Sequence, residues 1–348
     1  MTRRVLRSLA ATGATLLLTV GCSGEGSQTQ ATVGVDATIP PVTPSASVLG
    51  PAETDRLPVA FVTYSASSNR LSYLTKDLKV LGRQTQLRSP LADLATAGHN
   101  VAVGYSDGQV ALIDASIGAT VKTGRTDNAA LAPHVKEVLL DELFAGPSSL
   151  LVAGRFAQAG AVLYTGFVQE LDVHTLAAIR TFTFKEAPQD LQVDANKHVL
   201  CLIGDGTIVD LSDKARVLWR RPEKPRYFLP LPGAQVATVT YHSPSTLRLP
   251  DGRKVPLGAP YNPGGMVDLG KDGFAVILED EGVLRINPAG VHMRVSVADR
   301  PDAALFDGSR LLIGQVNGKK LVAVGMSPFE VTRTVTLDWG VDNIVKVS

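Results

Sequence analysis

Residues 101–114 read Val-Ala-Val-Gly-Tyr-Ser-Asp-Gly-Gln-Val-Ala-Leu-Ile-Asp, which is two apolar runs separated by Asp-Gly. Short β-branched runs on either side of Asp-Gly predict a β-hairpin, because glycine reaches positive φ without a steric clash. The same arrangement recurs at residues 199–211, 274–286 and 310–324. One more apolar run often precedes each hairpin and another follows it, so each repeat is predicted to contain four short strands.

The spacing of these repeats predicts the architecture. The second strands of the repeats are predicted to begin 37 to 50 residues apart, at Val59, Val101, Leu151, Val199, Val236, Phe274 and Leu311. Four-stranded units of about 40 to 45 residues are typical of β-propeller blades. We therefore predict an all-β protein, a β-propeller of seven four-stranded blades over residues 57–348; residues 141–188 leave room for extra strands, so six or eight blades stay open. Residues 343–347 are predicted to pair with the first blade and close the ring, which removes exposed sheet edges.

Three turns carry a resemblance to known propeller repeats. Residues 210–219 resemble a quinoprotein-type repeat, in which Asp and Gly lead into an apolar pair and Trp, although Ala215 stands where Gly is usual. Residues 113–118 keep the Asp and Gly without the Trp, and residues 171–176 are similar to the WD-like version of this turn. The resemblance implies a quinoprotein-like or WD-like propeller, a superfamily that includes dehydrogenases, envelope scaffolds and binding modules.

The N-terminus predicts export. Arg3, Arg4 and Arg7 precede a weak apolar run at residues 9–20. That run is too short to span a bilayer and has the size of a signal-peptide core. Residues 1–21 are therefore predicted to be a signal peptide. The arginine pair also resembles a twin-arginine signal, so the export route stays open.

The signal peptide ends in a resemblance to the bacterial lipobox. Residues 19–22 read Thr-Val-Gly-Cys, with Thr19 where Leu is usual. The resemblance implies a lipid on Cys22, the first residue of the mature chain; ordinary secretion with a free Cys22 is the alternative. Residues 22–56 are rich in Thr, Pro, Ser and Ala without periodicity, which predicts a lipidated flexible stalk. The predicted location is the extracytoplasmic face of the cell membrane, held there by the lipid anchor.

Composition narrows the range of partners. Loss of the three signal-peptide arginines changes the formal net charge from +1 to −2. A near-neutral chain without basic runs does not predict nucleic-acid binding. Of the two cysteines, Cys201 lies in an apolar run, where a buried inert thiol is expected and a reactive one is the alternative. No disulfide framework is predicted.

Motifs for catalysis are absent from the sequence. The six histidines form no zinc-binding pattern, and neither a nucleophile elbow nor a P-loop occurs. No catalytic residue, metal ligand or cofactor is therefore predicted. Because propeller enzymes assemble their sites from distant blades, an extracytoplasmic enzyme, either a quinone-cofactor dehydrogenase or a glycan-active one, remains the alternative to a binding or scaffold module for a protein, peptide or glycan.

One position of the repeat suggests a ligand site. The residue that enters the innermost strand is acidic in several repeats, and Arg226 offers a counter-charge in the fifth. The predicted ligand-binding residues are Asp93, Glu137, Asp190, Arg226 and Asp302, with Asp342 as a further member. Tyr227 is the alternative to Arg226 in the fifth repeat, and Gly265 occupies the position in the sixth. Carboxylates around one channel mouth would attract a cation or basic partner. The alternative is that each carboxylate caps N–H groups in its own turn. An enlarged turn at residues 155–164 is the second candidate site.

Overall fold

The computed structural model describes residues 3–5 and, within residues 56–347, all except 89–90, 147, 161–162, 234, 241–244, 258–262, 279–281, 288–289, 291 and 298. Cys22 and nearly all of the predicted signal peptide and stalk therefore lie outside the described residues. The regular secondary structure of the described chain is almost entirely β-strand, and the strands form seven four-stranded antiparallel blades. The predicted seven-bladed propeller is confirmed.

Each blade is an antiparallel meander whose strands run in order from the innermost to the outermost. Blade 1 contains Asn343–Lys346, Phe61–Ser65, Arg70–Leu74 and Val80–Gln86. Blade 2 contains Leu91–Ala97, Asn100–Tyr105, Gln109–Asp114 and Ala119–Arg125. Blade 3 contains Val135–Ala145, Ser149–Gln158, Thr165–Asp172 and Ala178–Phe184. Blade 4 contains Pro188–Val193, Val199–Ile203, Thr207–Asp210 and Arg216–Arg220.

The last three blades follow the same order. Blade 5 contains Tyr227–Leu231, Gln235–Val239, Thr246–Arg248 and Lys254–Pro256. Blade 6 contains Pro263–Asp268, Phe274–Leu278, Gly282–Ile286 and His292–Val295. Blade 7 contains Pro301–Phe306, Arg310–Gln315, Lys320–Gly325 and Val331–Thr336. A short strand, Arg3–Val5, also pairs with the innermost strand of blade 7. The described helices are one α-helical turn, Asn128–Leu131, and two 3₁₀ turns, Leu211–Asp213 and Gly270–Asp272.

The innermost strands contact one another in the blade order 4, 5, 6, 7, 1, 2, 3. We call the end at which these strands begin the upper rim; it also carries the turns between second and third strands. The lower rim carries the turns between first and second strands and between third and fourth strands. The described domain begins at the lower rim, where the Leu57 N–H donates to the Ser116 carbonyl in a turn of blade 2.

The hydrophobic core lies between the blades. Seven clusters of buried side chains each join two neighbouring blades, so every blade is covered on both faces. The outermost strand of blade 1 alternates between exposed and half-buried residues, which shows that its outer side meets solvent. The Asp-Gly turns have the predicted conformation, since Gly108 and Gly206 have φ of 85° and 88°. No described helix has the length and hydropathy needed to cross a bilayer.

The ring closes as predicted. Asn343–Lys346 pairs antiparallel with Phe61–Ser65, with Asn343 opposite Tyr64 and Lys346 opposite Phe61. The last blade strand in the chain therefore becomes the innermost strand of the first blade. Burial of Ile344 and Val345 on opposite faces of this strand joins blade 1 to both of its neighbours.

Candidate functional site

Asp93 and Asp190 occupy equivalent positions on the upper rim. Each follows a β-bulge near the start of its innermost strand, and only 4% of Asp93 and 2% of Asp190 is exposed. An Asp93 Oδ2 accepts a hydrogen bond from the Leu143 N–H at 3.0 Å, and an Asp190 Oδ2 accepts one from the Phe228 N–H at 3.0 Å. Both donors belong to the next blade. The two carboxylates therefore connect the innermost strands of neighbouring blades, which is a structural role. Binding of a cationic ligand by them stays a prediction.

Asp302 and Asp342 form a second pair, in blades 7 and 1. An oxygen of Asp302 accepts the Val316 N–H at 2.9 Å, and one of Asp342 accepts the Ala66 N–H at 2.6 Å. Val316 and Ala66 each follow the second strand of the same blade, so each carboxylate caps an N–H group in a neighbouring turn of its blade and not one in its own turn, and ligand binding by Asp302 and Asp342 stays a prediction. Burial raises the pKa of both carboxyl groups, and the charge of Asp342 adds to the effect on Asp302.

Glu137 does not share the position of Asp93, and the equivalence predicted for it is wrong. In blade 3 the residue after the bulge is Glu142, which lies opposite Ala153 as Asp93 lies opposite Gly104. Glu137 lies five residues earlier, in an extension where the first two strands of the blade continue beyond the bulge. It is exposed and accepts a hydrogen bond from the Tyr164 hydroxyl at 2.7 Å.

The extension of blade 3 unites two features that the sequence suggested separately. Residues 155–158, predicted as part of an enlarged turn, continue the second strand. Arg155 pairs with Asp141 at 2.9 Å, and its guanidinium lies 5.8 Å from the ring centre of Tyr164. Leu163 beside it is 80% exposed. The described part of the enlarged turn therefore lies on the upper rim, where Arg155 and Tyr164 hold it through their contacts with Asp141 and Glu137.

Arg226 lies at the start of blade 5, on the upper rim. Its N–H donates to the Val239 carbonyl at 2.8 Å, and its half-buried guanidinium lies 5.8 Å from the ring centre of Tyr227. In blade 6, Gly265 follows the bulge and takes the place of Asp93. The described upper rim therefore carries buried carboxylates in several blades and a basic side chain in blade 5.

A cavity lies on the lower rim, where no ligand residue was predicted. It has a volume of about 790 Å³ and is formed by turns of blades 4, 5 and 6. Its apolar lining includes Pro230, Leu231 and Pro232, and charged residues surround this surface: Asp194, Lys197, Asp251, Arg253, Asp268 and Lys271.

The carboxylates of this pocket are fixed by their own turns. Asp194 accepts hydrogen bonds from the N–H groups of Asn196 and His198, each at 2.8 Å, and Asp268 accepts one from Gly270 at 2.8 Å. Asp251 pairs with Arg253 at 2.5 Å, and the backbone hydrogen bond from Arg253 is the main reason that its pKa is lowered. These groups offer fixed negative charge to a ligand, whereas Lys197 and Lys271 extend from exposed turns in blades 4 and 6.

Among the described residues, the ionisable side chains that line the pocket are those of Asp, Lys and Arg. Its lining contains no His, Cys, Ser or Thr among the described residues. No cluster of three potential metal ligands occurs in the part of the chain that the structure describes. Cys201 is fully buried in blade 4, and burial raises the pKa of its thiol well above the usual value. The inert interpretation of Cys201 fits this environment.

Sequence reasoning missed the pocket because its residues have ordinary turn signatures. Asp, Gly and Pro at these positions predict turns, and nothing in a single turn indicates that turns from three blades surround one cavity. The repeat could have supplied part of the signal, since the turns after the innermost strands of neighbouring blades must lie side by side on one rim.

Comparisons with known proteins support the fold alone. No family model and no curated protein matches the chain. The structure of the dihydro-heme d1 dehydrogenase NirN in complex with DHE matches with a TM-score of 0.57 and 14% identity, over 87% of this chain and 77% of that one. A Bacteroides fragilis protein whose proposed activity is that of a 6-phosphogluconolactonase matches with a TM-score of 0.56 and 10% identity, over 83% of this chain and 98% of that one. The computationally designed protein Ika8 matches with a TM-score of 0.52 and 14% identity, over 82% of this chain and 90% of that one.

Proposed function

We propose that this protein is a binding module that is held by a lipid on Cys22 at the extracytoplasmic face of a membrane and takes its ligand into the lower-rim pocket. The observation that carries the proposal is the pocket of about 790 Å³ between the turns of three blades. Sites for small ligands and short chain segments commonly have volumes of about 300 to 1,000 Å³. The signal-peptide pattern and the lipobox resemblance support the location.

The lining indicates what the pocket can hold. Pro230, Leu231 and Pro232 provide a stiff apolar surface, and charged groups of both signs surround it. A ligand with an apolar body and polar ends matches this arrangement, which favours a peptide or an exposed loop of a protein. A glycan is the other class that remains within the proposal.

One carboxylate of the pocket is unsuited to general-acid catalysis. A general acid at neutral pH needs a raised pKa, whereas Asp251 has a lowered one. Two of the structures similar to this one, at 14% identity or less, carry enzyme names, which at that identity says nothing about the activity of this chain. A dehydrogenase with a bound quinone cofactor would show visible absorbance after purification, and metal analysis of the same sample would detect a metal-dependent alternative.

The test fills the pocket with a large side chain. Ala195 is exposed and lines the pocket, so Ala195→Trp should occupy the cavity without disturbing the core. Ala119→Trp places the same side chain on the lower rim of blade 2 and serves as the matched control. We expect the wild type and the control to retain the same members of a defined peptide library and glycan array, and Ala195→Trp to lose them. An unchanged binding profile for Ala195→Trp would refute the pocket as the site.

A further inference from the structure

A concentration of positive charge lies on the upper rim between blades 4 and 5. Residues 220–226, which we call the basic loop, join the outermost strand of blade 4 to the innermost strand of blade 5. Four of the seven side chains are basic: Arg220, Arg221, Lys224 and Arg226. The predicted mature chain has a net charge near −2, so four basic side chains within seven residues are a strong local concentration of positive charge.

The acidic residue within the loop does not neutralise these charges. Glu223 pairs with Arg248 of blade 5 at 3.0 Å, so its charge is balanced by a cation from outside the loop. Asp205, in the adjacent turn of blade 4, accepts the Thr207 N–H at 2.8 Å and stabilises its own turn. Arg220 and Lys224 are both exposed to solvent. The loop therefore presents a net positive surface.

Hydrogen bonds and close packing anchor the backbone of the basic loop. The Arg221 N–H donates to the Gly206 carbonyl at 2.9 Å, and the Lys224 N–H donates to the Arg221 carbonyl at 2.9 Å. Gly206 packs so closely that a Cβ at that position would lie 2.1 Å from the Arg221 oxygen. A loop anchored in this way loses little conformational freedom on binding, which favours affinity for a partner of opposite charge.

We propose that the basic loop binds an acidic segment of a partner protein, at a site separate from the lower-rim pocket. Guanidinium groups pair with carboxylates through two parallel hydrogen bonds, which suits a chain segment rich in Asp and Glu. The described domain begins at the lower rim, so the basic loop lies on the opposite rim, where its positive charge is complementary to an acidic protein segment; lipid headgroups are the alternative that the vesicle measurement tests. With a pocket on one rim and a charged loop on the other, the domain can hold two partners at once.

The test uses a fluorescein-labelled peptide of ten glutamates and the purified domain with an intact stalk. Arg220→Glu/Lys224→Glu reverses two exposed charges of the loop. Arg125→Glu/Lys319→Glu is the matched control, because Arg125 also ends an outermost strand on the upper rim and Lys319 shares the φ of 47° of Lys224. Fluorescence anisotropy in 100 mM salt is the measurement. Arg220→Gln/Lys224→Gln provides a milder second variant for the case that the reversed one unfolds.

We expect the loop variant to bind the peptide at least about tenfold more weakly than the wild type, and the control to change by less than about threefold. Binding by the wild type should also weaken between 100 mM and 1 M salt, as the screening length falls from about 10 Å to about 3 Å. The proposal is wrong if the wild type does not bind the peptide or if both double variants lose binding equally. Tighter loop-dependent binding of a sulfated glycan or of phosphatidylglycerol vesicles would overturn the assignment to a protein partner.

Discussion

Asp93 connects three blades through one carboxylate. One oxygen accepts the Leu143 N–H from blade 3, and the other accepts the Asn343 side-chain amide from blade 1 at 2.8 Å. Asp190 makes the equivalent contact to the next blade, because one of its oxygens accepts the Phe228 N–H of blade 5. A buried carboxylate with charge-assisted hydrogen bonds holds its partners more firmly than a neutral acceptor does. These residues therefore determine how neighbouring innermost strands align.

Asp93→Ala should destabilise the ring. The substitution leaves the Leu143 N–H and the Asn343 amide without their buried acceptor, which should lower the free energy of unfolding by about 2–4 kcal/mol. Urea unfolding followed by circular dichroism measures the change. Asp77→Ala, at an exposed turn of blade 1, is the control and should change the free energy by less than about 0.5 kcal/mol. Equal effects of the two substitutions would contradict the connecting role.

The carboxyl groups of Asp302 and Asp342 should make stability depend on pH. Their folded-state pKa values lie above the ordinary value of 3.8, because burial disfavours the charged forms. Each group therefore favours folding most below pH 3.8, and that contribution is lost as pH rises through the raised pKa. Asp302→Asn/Asp342→Asn removes both titrations and keeps an acceptor oxygen for each backbone N–H.

The melting temperature of this double variant, relative to that of the wild type, should therefore rise between pH 4 and pH 7. Differential scanning calorimetry at half-unit steps of pH provides the measurement. A difference that stays constant across this range would show that neither carboxyl group titrates differently in the folded and unfolded states.

At the scale of elements, the tight turn of blade 4 positions the basic loop. Gly206 combines a φ of 88° with the close approach of the Arg221 carbonyl. Gly252, in the turn of blade 5, has nearly the same φ of 86° but has no heavy atom within 4 Å of a Cβ placed there. A comparison of alanine substitutions at the two glycines therefore distinguishes the cost of positive φ from the cost of a steric clash.

Gly206→Ala should destabilise the protein more than Gly252→Ala does. Both variants carry the cost of positive φ, about 1 kcal/mol, whereas only Gly206→Ala must displace the loop backbone, at a further cost of about 1–3 kcal/mol. Chemical denaturation midpoints measure the difference. Gly206→Ala should also weaken binding of the acidic peptide, and equal midpoints for the two variants would show that the loop yields without cost.

Elements whose signals are local could be predicted from the sequence, whereas features that depend on strand pairing and on contacts between blades could not. Asp-Gly turns and β-branched runs specify hairpins within a dozen residues, so a propeller of about seven blades was predictable, while the length of residues 141–188 left six or eight blades open. Glu137 was assigned to the wrong position because the bulge at Asp141 and the extension of blade 3 depend on strand register. Register follows from long-range packing, which a short window does not contain. The pocket was missed for the related reason that it exists only between blades.

At the scale of the whole molecule, closure of the ring decides stability. Seven interblade clusters form the core, and two of them depend on Ile344 and Val345 in the closing strand. Removal of this strand exposes the edge of Phe61–Ser65 and opens both clusters. The loss therefore extends beyond one pair of strands.

Deletion of residues 343–348 should lower the melting temperature of the whole domain by at least about 10 °C or prevent folding, since several buried side chains and a complete strand pairing are lost. Thermal unfolding followed by circular dichroism is the measurement. Removal of Ser348 alone is the control and should leave the melting temperature unchanged. A normal melting temperature after the full deletion would contradict closure by this strand.

Attachment of the whole molecule to the membrane is predicted to depend on lipidation of Cys22. Cys22→Ala should leave the protein without a lipid, and either uncleaved or released from the membrane, because the lipid is the proposed attachment; the propeller should retain its fold. Membrane fractionation and mass spectrometry of the N-terminal peptide provide the measurement. An unmodified Cys22 in wild-type protein isolated from membranes would contradict the anchor.

Closure by the last strand in chain order also fixes the order of events during synthesis and export. A chain that emerges with its N-terminus first delivers Phe61–Ser65 early, yet the partner of that strand, Asn343–Lys346, arrives after every other blade. The first blade must therefore wait with one edge unpaired while about 260 further residues emerge. A stalled or truncated chain keeps that edge exposed, which gives proteases and chaperones a signal that separates unfinished molecules from complete ones.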